Sequence, residues 1–162
     1  MKEWVGFVLR LVVGGVWIWA SALKITDPAQ SVAAVRAYQL LPSSLISPVG
    51  QLLPVIEMVV GVTLVLGLLT RGSAVVSSLL FVAFIIGISS VWARGITIDC
   101  GCFGGGGVDP DAASKYPWEI ARDVALLGAS IYLVWLRSTR LALDNVLFPR
   151  PAELSAAEPE GT

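Results

Sequence analysis

"VGQLLPVIEMVVGVTLVLGLL", residues 49–69, is the stretch that decides the class of fold. Glu57 is its one ionisable side chain, and almost all the other residues are apolar or small. A helix of about 20 predominantly apolar residues is long enough to cross the hydrocarbon core of a bilayer. We therefore predict a membrane-spanning helix over residues 49–69.

Three more stretches have the same character, and they cover residues 4–22, 73–92 and 118–136. Tryptophans stand at the ends of these stretches, where their amphipathic rings favour the headgroup level of a membrane: Trp4, Trp92 and Trp118. The pattern predicts an all-α fold, an integral membrane four-helix bundle that forms one domain over residues 1–148.

The composition agrees with a membrane protein. The chain is 56% hydrophobic and 14% charged, with a mean hydropathy of +0.79. A soluble bundle of four buried helices would need polar stripes on its outer faces, and these are missing. The net charge of −1 gives no basic face for binding nucleic acid. We expect membrane lipid to surround the helices. The lack of histidine removes the commonest metal ligand and the commonest general base.

The connecting segments are short. Residues 27–42 have a proline near their start and mix apolar with polar side chains, which predicts a short amphipathic helix at the outer interface. Leu68–Ser73 is long enough only for a helical hairpin on the inner side. Residues 149–162 are rich in Pro, Ala and Glu, which is typical of a disordered cytoplasmic tail.

The first stretch has two interpretations. Lys2, an apolar run and the small residues of "WASA" (19–22) fit a cleavable secretory signal. The alternative is a retained first helix, with Arg10 inside the bundle. The residues alone leave both open.

Basic residues favour an N-terminus and a C-terminus in the cytoplasm of a multi-pass cell-membrane protein. Five of them fall in the predicted inner segments, namely Lys2, Arg71, Arg137, Arg140 and Arg150. Four fall in the outer ones, namely Lys24, Arg36, Arg94 and Lys115. The loop between the third and fourth helices is then extracytoplasmic, where disulfides persist.

That loop contains "DCGCFGGGG" (99–107), with the only two cysteines of the chain. Gly101 between them can take the backbone angles that bring Cys100 and Cys102 together. A disulfide closing so small a ring constrains little unfolded-chain entropy, so a purely stabilising role is unattractive. A redox pair, a soft-metal site and a pair of thiols without a role remain as interpretations. We favour redox chemistry, assign no metal, and lean to Cys102 as the more exposed nucleophile because Phe103 and Gly104 follow it.

A cation near a cysteine favours the thiolate, which is the attacking species. Arg122, near the outer end of the fourth helix, is the first choice, and Arg94 is the second. Pairing of Arg122 with Glu119 or Asp123 is the competing interpretation. Phe103 could shield the sulfurs or contact a partner.

Glu57 lies near the middle of a spanning stretch, where an ionisable group is expensive and points inward. Arg10 is its expected counter-charge. The pair either fixes helix register or takes part in function, with Glu57 relaying a proton or hydrogen-bonding a quinone. Pro54, one turn earlier, can kink the helix and free a backbone carbonyl.

These residues together resemble the MauE branch of the DoxX-like membrane proteins. The motifs are "CGCFG" (100–104) followed by Arg122 in "EIARD", with weaker support from residues 10–28, "AYQLLP" (37–42) and "LPVIEMVVG" (53–61). The resemblance implies that the first helix is retained, and that the chain is a membrane component of extracytoplasmic thiol–disulfide exchange. MauE itself is named for methylamine utilisation.

The logic is like that of the vitamin K epoxide reductases, which pair C-x-x-C with a quinone. This chain has neither C-x-x-C nor a second cysteine pair, so a relay through two internal disulfides is excluded. Quinone is the one cofactor that the resemblance suggests, and a thioredoxin-like or secreted thiol protein is the expected partner. The rival functions are a non-enzymatic assembly or metal-binding factor and a quinone-reactive electron-transfer subunit.

Overall fold

The computed structural model describes residues 2–102 and 107–136. Its helices are α1 (Lys2–Thr26), α2 (Pro28–Ala37), α3 (Ser43–Leu66), α4 (Thr70–Ala93) and α5 (Ala112–Trp135). Two short strands, β1 (Ile98–Asp99) and β2 (Gly107–Val108), pair antiparallel between α4 and α5. The all-α fold is confirmed, while the tail at 149–162 lies outside the described residues.

The four long helices form a closed ring of contacts. Helix α1 packs on α3, α3 on α4, α4 on α5, and α5 on α1, while α2 lies against α3. The predicted stretches correspond to α1, α3, α4 and α5, each several residues longer at one or both ends. Among the described residues, α1, α3 and α4 are long and apolar enough to cross a membrane. A fourth crossing by α5, which carries Glu119, Arg122 and Asp123, stays a prediction.

Helix α2 confirms the short helix expected within residues 27–42. The Asp27 carboxylate accepts a hydrogen bond from the Gln30 amide at 3.0 Å, and Pro28 occupies the first turn. Such a cap satisfies an amide that has no partner within the helix. Asp27 and Pro28 therefore favour the start of α2 locally.

The connection between α3 and α4 is short and tight. Gly67 ends α3 with φ +72°, a left-handed conformation that favours glycine. Leu69 also has positive φ, and α4 begins at Thr70. The hairpin predicted over Leu68–Ser73 is confirmed.

Helices α1 and α3 cross at two glycines. A Cβ added to Gly14 would lie 2.9 Å from the Gly61 carbonyl oxygen, and one added to Gly61 would lie 2.9 Å from that of Gly14. Small residues allow this close approach of helix backbones in membranes. The contact fixes the register of the two helices.

Pro54 lies inside α3 and leaves the carbonyl of Gly50 without an amide donor from its own helix. The Ser31 hydroxyl of α2 donates to that oxygen at 2.7 Å. The freed carbonyl therefore attaches α2 to α3, which agrees with the expected effect of Pro54.

A buried polar chain joins three helices in the middle of the bundle. Trp17 Nε1 of α1 donates to Ser77 Oγ of α4 at 2.8 Å, and Ser77 Oγ lies 3.0 Å from Ser130 Oγ of α5. Because all three side chains are buried, an indole N–H without a partner is costly.

We predict that Ser77→Ala lowers the free energy of unfolding by about 1–3 kcal/mol, because Trp17 Nε1 loses its acceptor. Ser78→Ala is the matched control, since the Ser78 hydroxyl donates to Ala74 O of its own helix. Denaturation of both variants in detergent micelles measures the difference. Equal stability of the two variants would contradict the prediction.

Candidate functional site

The two cysteines lie in a loop that β1 and β2 close. Ile98 pairs with Val108 and Asp99 with Gly107, so the two ends of the loop are held together by this strand pair. Gly101 has φ +65°, which confirms the conformational role expected of it. Asp99 Oδ1 accepts the Gly101 amide at 2.9 Å and holds this turn.

Both sulfurs are present as free thiols, and the turn brings them together. The Cys102 amide donates to Cys100 Sγ at 3.3 Å, and Cys102 Sγ lies 3.9 Å from the Cys100 carbonyl oxygen. Cys100 is 5% exposed and Cys102 6%. The expected greater exposure of Cys102 is therefore wrong, because the loop folds back on the helices. Phe103 and Gly104 lie outside the described residues.

Two tyrosines anchor the cysteine loop to the helices. Tyr38, just after α2, donates its hydroxyl to the Cys100 carbonyl oxygen at 2.8 Å. The Tyr116 hydroxyl of α5 accepts the Ile98 amide at 2.9 Å and lies 2.9 Å from the carbonyl oxygens of Ile96 and Ile98. Burial raises the pKa of Tyr38, so its hydroxyl stays protonated and able to donate. The irregular backbone thus finds partners near the membrane.

Arg122 is the cation expected near the cysteines, and it also forms an ion pair with Asp123. Its guanidinium donates to Asp123 Oδ1 through Nε at 3.1 Å and Nη2 at 2.9 Å, which confirms the competing interpretation of an ion pair. It also interacts electrostatically with both cysteines. Cys102, Arg122 and Asp123 line one small cavity of about 10 Å³. Arg94, by contrast, donates to the Tyr38 carbonyl oxygen and supports the tyrosine anchor.

Lys24 is a cation of this site that the sequence did not reveal. The pKa of Cys102 is well above the ordinary range, first because of its hydrogen bond with Cys100, then because of burial, and Asp123 adds to this. Lys24 lowers that pKa and so favours the thiolate. Its Nζ also lies 5.1 Å from the centroid of the Phe84 ring. The sequence places Lys24 in an outer segment, yet it is 6% exposed inside α1.

Glu57 is fully buried and pairs with Lys24, at 2.8 and 2.9 Å from Nζ to its two oxygens. The expected pairing with Arg10 is wrong. Helices α1 and α3 run antiparallel, with Gly14 beside Gly61, so the part of α1 opposite Glu57 is its C-terminal end. Arg10 is buried elsewhere, with its guanidinium carbon 5.5 Å from the centroid of the Phe7 ring.

We predict that Glu57→Gln or Lys24→Met alone destabilises the bundle by about 3–5 kcal/mol, because each leaves one buried charge without its partner. The double variant Lys24→Met/Glu57→Gln recovers most of that loss, since neither charge remains. Thermal unfolding in micelles gives the comparison. A double variant that loses the sum of both single effects would show that the pair is not the coupled unit.

We also predict that Tyr38→Phe speeds alkylation of the cysteines about 2- to 10-fold. One lost hydrogen bond of about 0.5–1.5 kcal/mol raises the population of the open loop by that factor. Tyr132→Phe is the control, because Tyr132 is partly exposed on α5 away from the loop. Alkylation kinetics with a small maleimide measure the effect, and an unchanged rate would exclude the anchor as the barrier to opening.

An apolar groove lies beside the loop, between α2, α3 and α4, with a volume of about 260 Å³. Its lining is aliphatic and aromatic, and the one hydroxyl among the lining residues, that of Tyr38, donates to Cys100. The groove therefore offers apolar surface and no free hydrogen-bonding side chain.

Comparison with known proteins gives one family. The family described as "Methylamine utilisation protein MauE" matches residues 2–136. Neither the curated proteins nor the solved structures include a significant match. The match covers all five helices and the cysteine loop, so this chain, a membrane protein by its apolar helices, belongs to the MauE family.

Proposed function

We propose that the chain is the membrane component of an extracytoplasmic thiol–disulfide exchange, which forms or maintains disulfides in a secreted or periplasmic partner. The observation that carries this proposal is the pair of free thiols in one turn, with the Cys102 amide 3.3 Å from Cys100 Sγ. Oxidation of the pair to one disulfide transfers two electrons to a partner disulfide, which becomes two thiols. The reverse transfer uses the same groups.

The charges around the sulfurs support thiol chemistry. Lys24 and Arg122 both act electrostatically on the pair, from α1 and α5 respectively. A nearby cation stabilises a thiolate and so increases the fraction of the attacking species. Burial acts in the opposite direction, so the pair is held protected until the loop opens.

The extracytoplasmic side of the cysteine loop is supported by the basic residues, of which five fall in the predicted inner segments and four in the outer ones. The ends of α1 and α4, together with α2, belong to the same side as the cysteine loop.

The partner is a protein with a reactive disulfide or dithiol, either thioredoxin-like or a secreted client. The family description names methylamine utilisation, and we infer a membrane role of that kind for this chain. Since the site is a thiol pair, its substrate in that role is a protein cysteine rather than methylamine. Quinone coupling has less support, because the apolar groove beside Tyr38 offers a quinone carbonyl no side-chain donor that is free.

We expect the pair to be held in intact cells as the Cys100–Cys102 disulfide, and we predict that a membrane-impermeant maleimide labels the two cysteines from outside only after reduction. Of the single variants Cys100→Ser and Cys102→Ser, the one that keeps the attacking thiol accumulates a mixed disulfide with a partner on non-reducing gels. The double variant is the control and forms no adduct. Thiols that label without reduction, with no adduct in either single variant, would instead favour a non-enzymatic assembly or metal-binding factor.

A further inference from the structure

A small cavity lies where α1, α4 and α5 meet the cysteine loop. Its volume is about 10 Å³, and three of the described residues that line it can bind a polar ligand: Cys102, Arg122 and Asp123. The rest of the lining is aliphatic or aromatic. The indole N–H of Trp17, which also lines the cavity, is already bonded to Ser77 Oγ. The chemistry of the cavity is therefore that of a thiol, a guanidinium and a carboxylate.

The carboxylate of Asp123 has one oxygen committed and one oxygen available. Its side chain is 4% exposed. Oδ1 accepts two hydrogen bonds from the Arg122 guanidinium, at 3.1 Å from Nε and 2.9 Å from Nη2. Oδ2 is buried and has no hydrogen-bond partner among the residues that the structure describes. A buried polar atom of this kind costs free energy, so it calls for a ligand or a functional reason.

One water molecule suits this cavity in size and in chemistry. A volume of about 10–15 Å³ is enough for one water, and an internal water needs about two to four polar partners. Asp123 Oδ2 can accept a hydrogen bond from that water, and the Cys102 thiol on the same cavity can donate one to it. Such a water would satisfy the carboxylate oxygen and connect it to the sulfur.

Arg122 makes it possible for a negative charge to move across the cavity. Its guanidinium pairs with Asp123 and also interacts electrostatically with Cys102. When a proton moves from Cys102 to Asp123, one anion is neutralised and another forms beside the same cation. The number of buried charges stays the same, so the transfer avoids the cost of a further uncompensated anion. Ion pairing with Asp123 and stabilisation of a thiolate are then two states of one arginine.

We propose that the cavity binds one water between Asp123 Oδ2 and Cys102 Sγ, and that Asp123 accepts the proton of Cys102 through it. This inference rests on the proposed function. The Cys102 Sγ–H bond breaks and its proton passes to the water, while another proton of the water bonds to Asp123 Oδ2. The thiolate forms a bond to one sulfur of the partner disulfide. The other partner sulfur leaves as a thiolate and takes up the proton from Asp123.

Cys100 completes the reaction. Its sulfur attacks Cys102 Sγ in the mixed disulfide, which forms the Cys100–Cys102 bond and expels the second partner sulfur. That sulfur takes up the proton which Cys100 loses, so two electrons and two protons pass to the partner. The first attack is thus assigned to Cys102 by its proton acceptor and not by exposure, which is 6% against 5% for Cys100.

Other charged and titratable groups surround the pair. They come from the loop, from the residue after α2, from α1 and from α5 itself: Cys100, Tyr38, Lys24, Glu119 and Arg122. Helix α3 adds Glu57 through its ion pair with Lys24, and α4 lines the cavity with aromatic rings. All of these groups are the same in each of the variants compared below.

The first test uses the full chain in micelles with Cys100→Ser as background, so that Cys102 is the single thiol. The probe is methyl methanethiosulfonate, an uncharged reagent that transfers a methylthio group to a thiolate and releases methanesulfinate. The rate of thiol loss is measured from pH 5 to 8. We expect a rise of less than about threefold per pH unit below neutrality, because the fraction with the shared proton on Asp123 does not depend on pH.

Asp123→Asn is expected to restore a tenfold rise per pH unit, since the thiol then loses its proton only to solvent. Asp123→Glu keeps the shallow profile, because a carboxylate remains. Asp99→Asn is the matched control: it removes a negative charge next to Cys100, its amide oxygen can still accept the Gly101 N–H, and the shallow profile stays. A shallow profile in Asp123→Asn would overturn the proposal. So would a tenfold rise in the parent, whether or not Asp123→Asn folds.

The second test concerns the water itself. Ala20 of α1 lines the cavity and is 3% exposed, so the two extra methyl groups of Ala20→Val fill the space of the water. Ala22 is exposed on the same helix, and Ala22→Val is the matched control. Magnetic relaxation dispersion of water counts long-lived internal waters, and we expect one fewer in Ala20→Val than in Ala22→Val. Equal numbers would overturn the proposal.

Trapping of partner proteins separates this proposal from the proposed function. We expect Cys100→Ser, which keeps Cys102, to accumulate the mixed disulfide. An adduct formed only by Cys102→Ser would overturn the assignment of the first attack to Cys102. No adduct in either single variant would overturn the proposed function itself, whatever the pH profile of Cys102.

Discussion

The ion pair between Lys24 and Glu57 is the interaction on which the arrangement of the site depends. A carboxylate in the middle of an apolar helix is tolerated only with a partner, and the antiparallel register of α1 and α3 makes that partner Lys24. The pair thus holds the end of α1 against the middle of α3. It also keeps a positive charge in electrostatic contact with Cys102. A requirement of membrane burial therefore supplies a cation to the thiol site.

The second constraint is that backbone leaving a helix must still find hydrogen bonds. The cysteine loop meets it through the hydroxyls of Tyr38 and Tyr116, and Gly50 meets it through Ser31. The two tyrosine contacts hold the loop against the helices, which explains why a loop so rich in glycine does not leave the thiols exposed. Access to the pair is then a matter of opening the loop, which couples reactivity to the tyrosine anchor.

Much of the architecture could be predicted because it depends on the apolar stretches themselves. Their length predicted the long helices, the proline and the mixed polarity of residues 27–42 predicted the short helix α2, and Gly101 predicted the turn between the cysteines. The pairing of Arg122 with Asp123 was one of two interpretations. The partner of Glu57 could not be predicted, because Arg10 and Lys24 lie on the same helix and only the register of α1 against α3 chooses between them.

The sequence by itself determined a MauE-type helical membrane protein with one thiol pair, since composition, apolar length and the C-G-C motif are local properties. Only the tertiary structure decided that both thiols are buried and that Tyr38 bonds to the backbone between them. That contact joins residues 38 and 100, which lie far apart in the sequence. Their juxtaposition follows from the closed packing of α1, α3, α4 and α5 and from the fold-back of the loop, and neither can be read from local pattern.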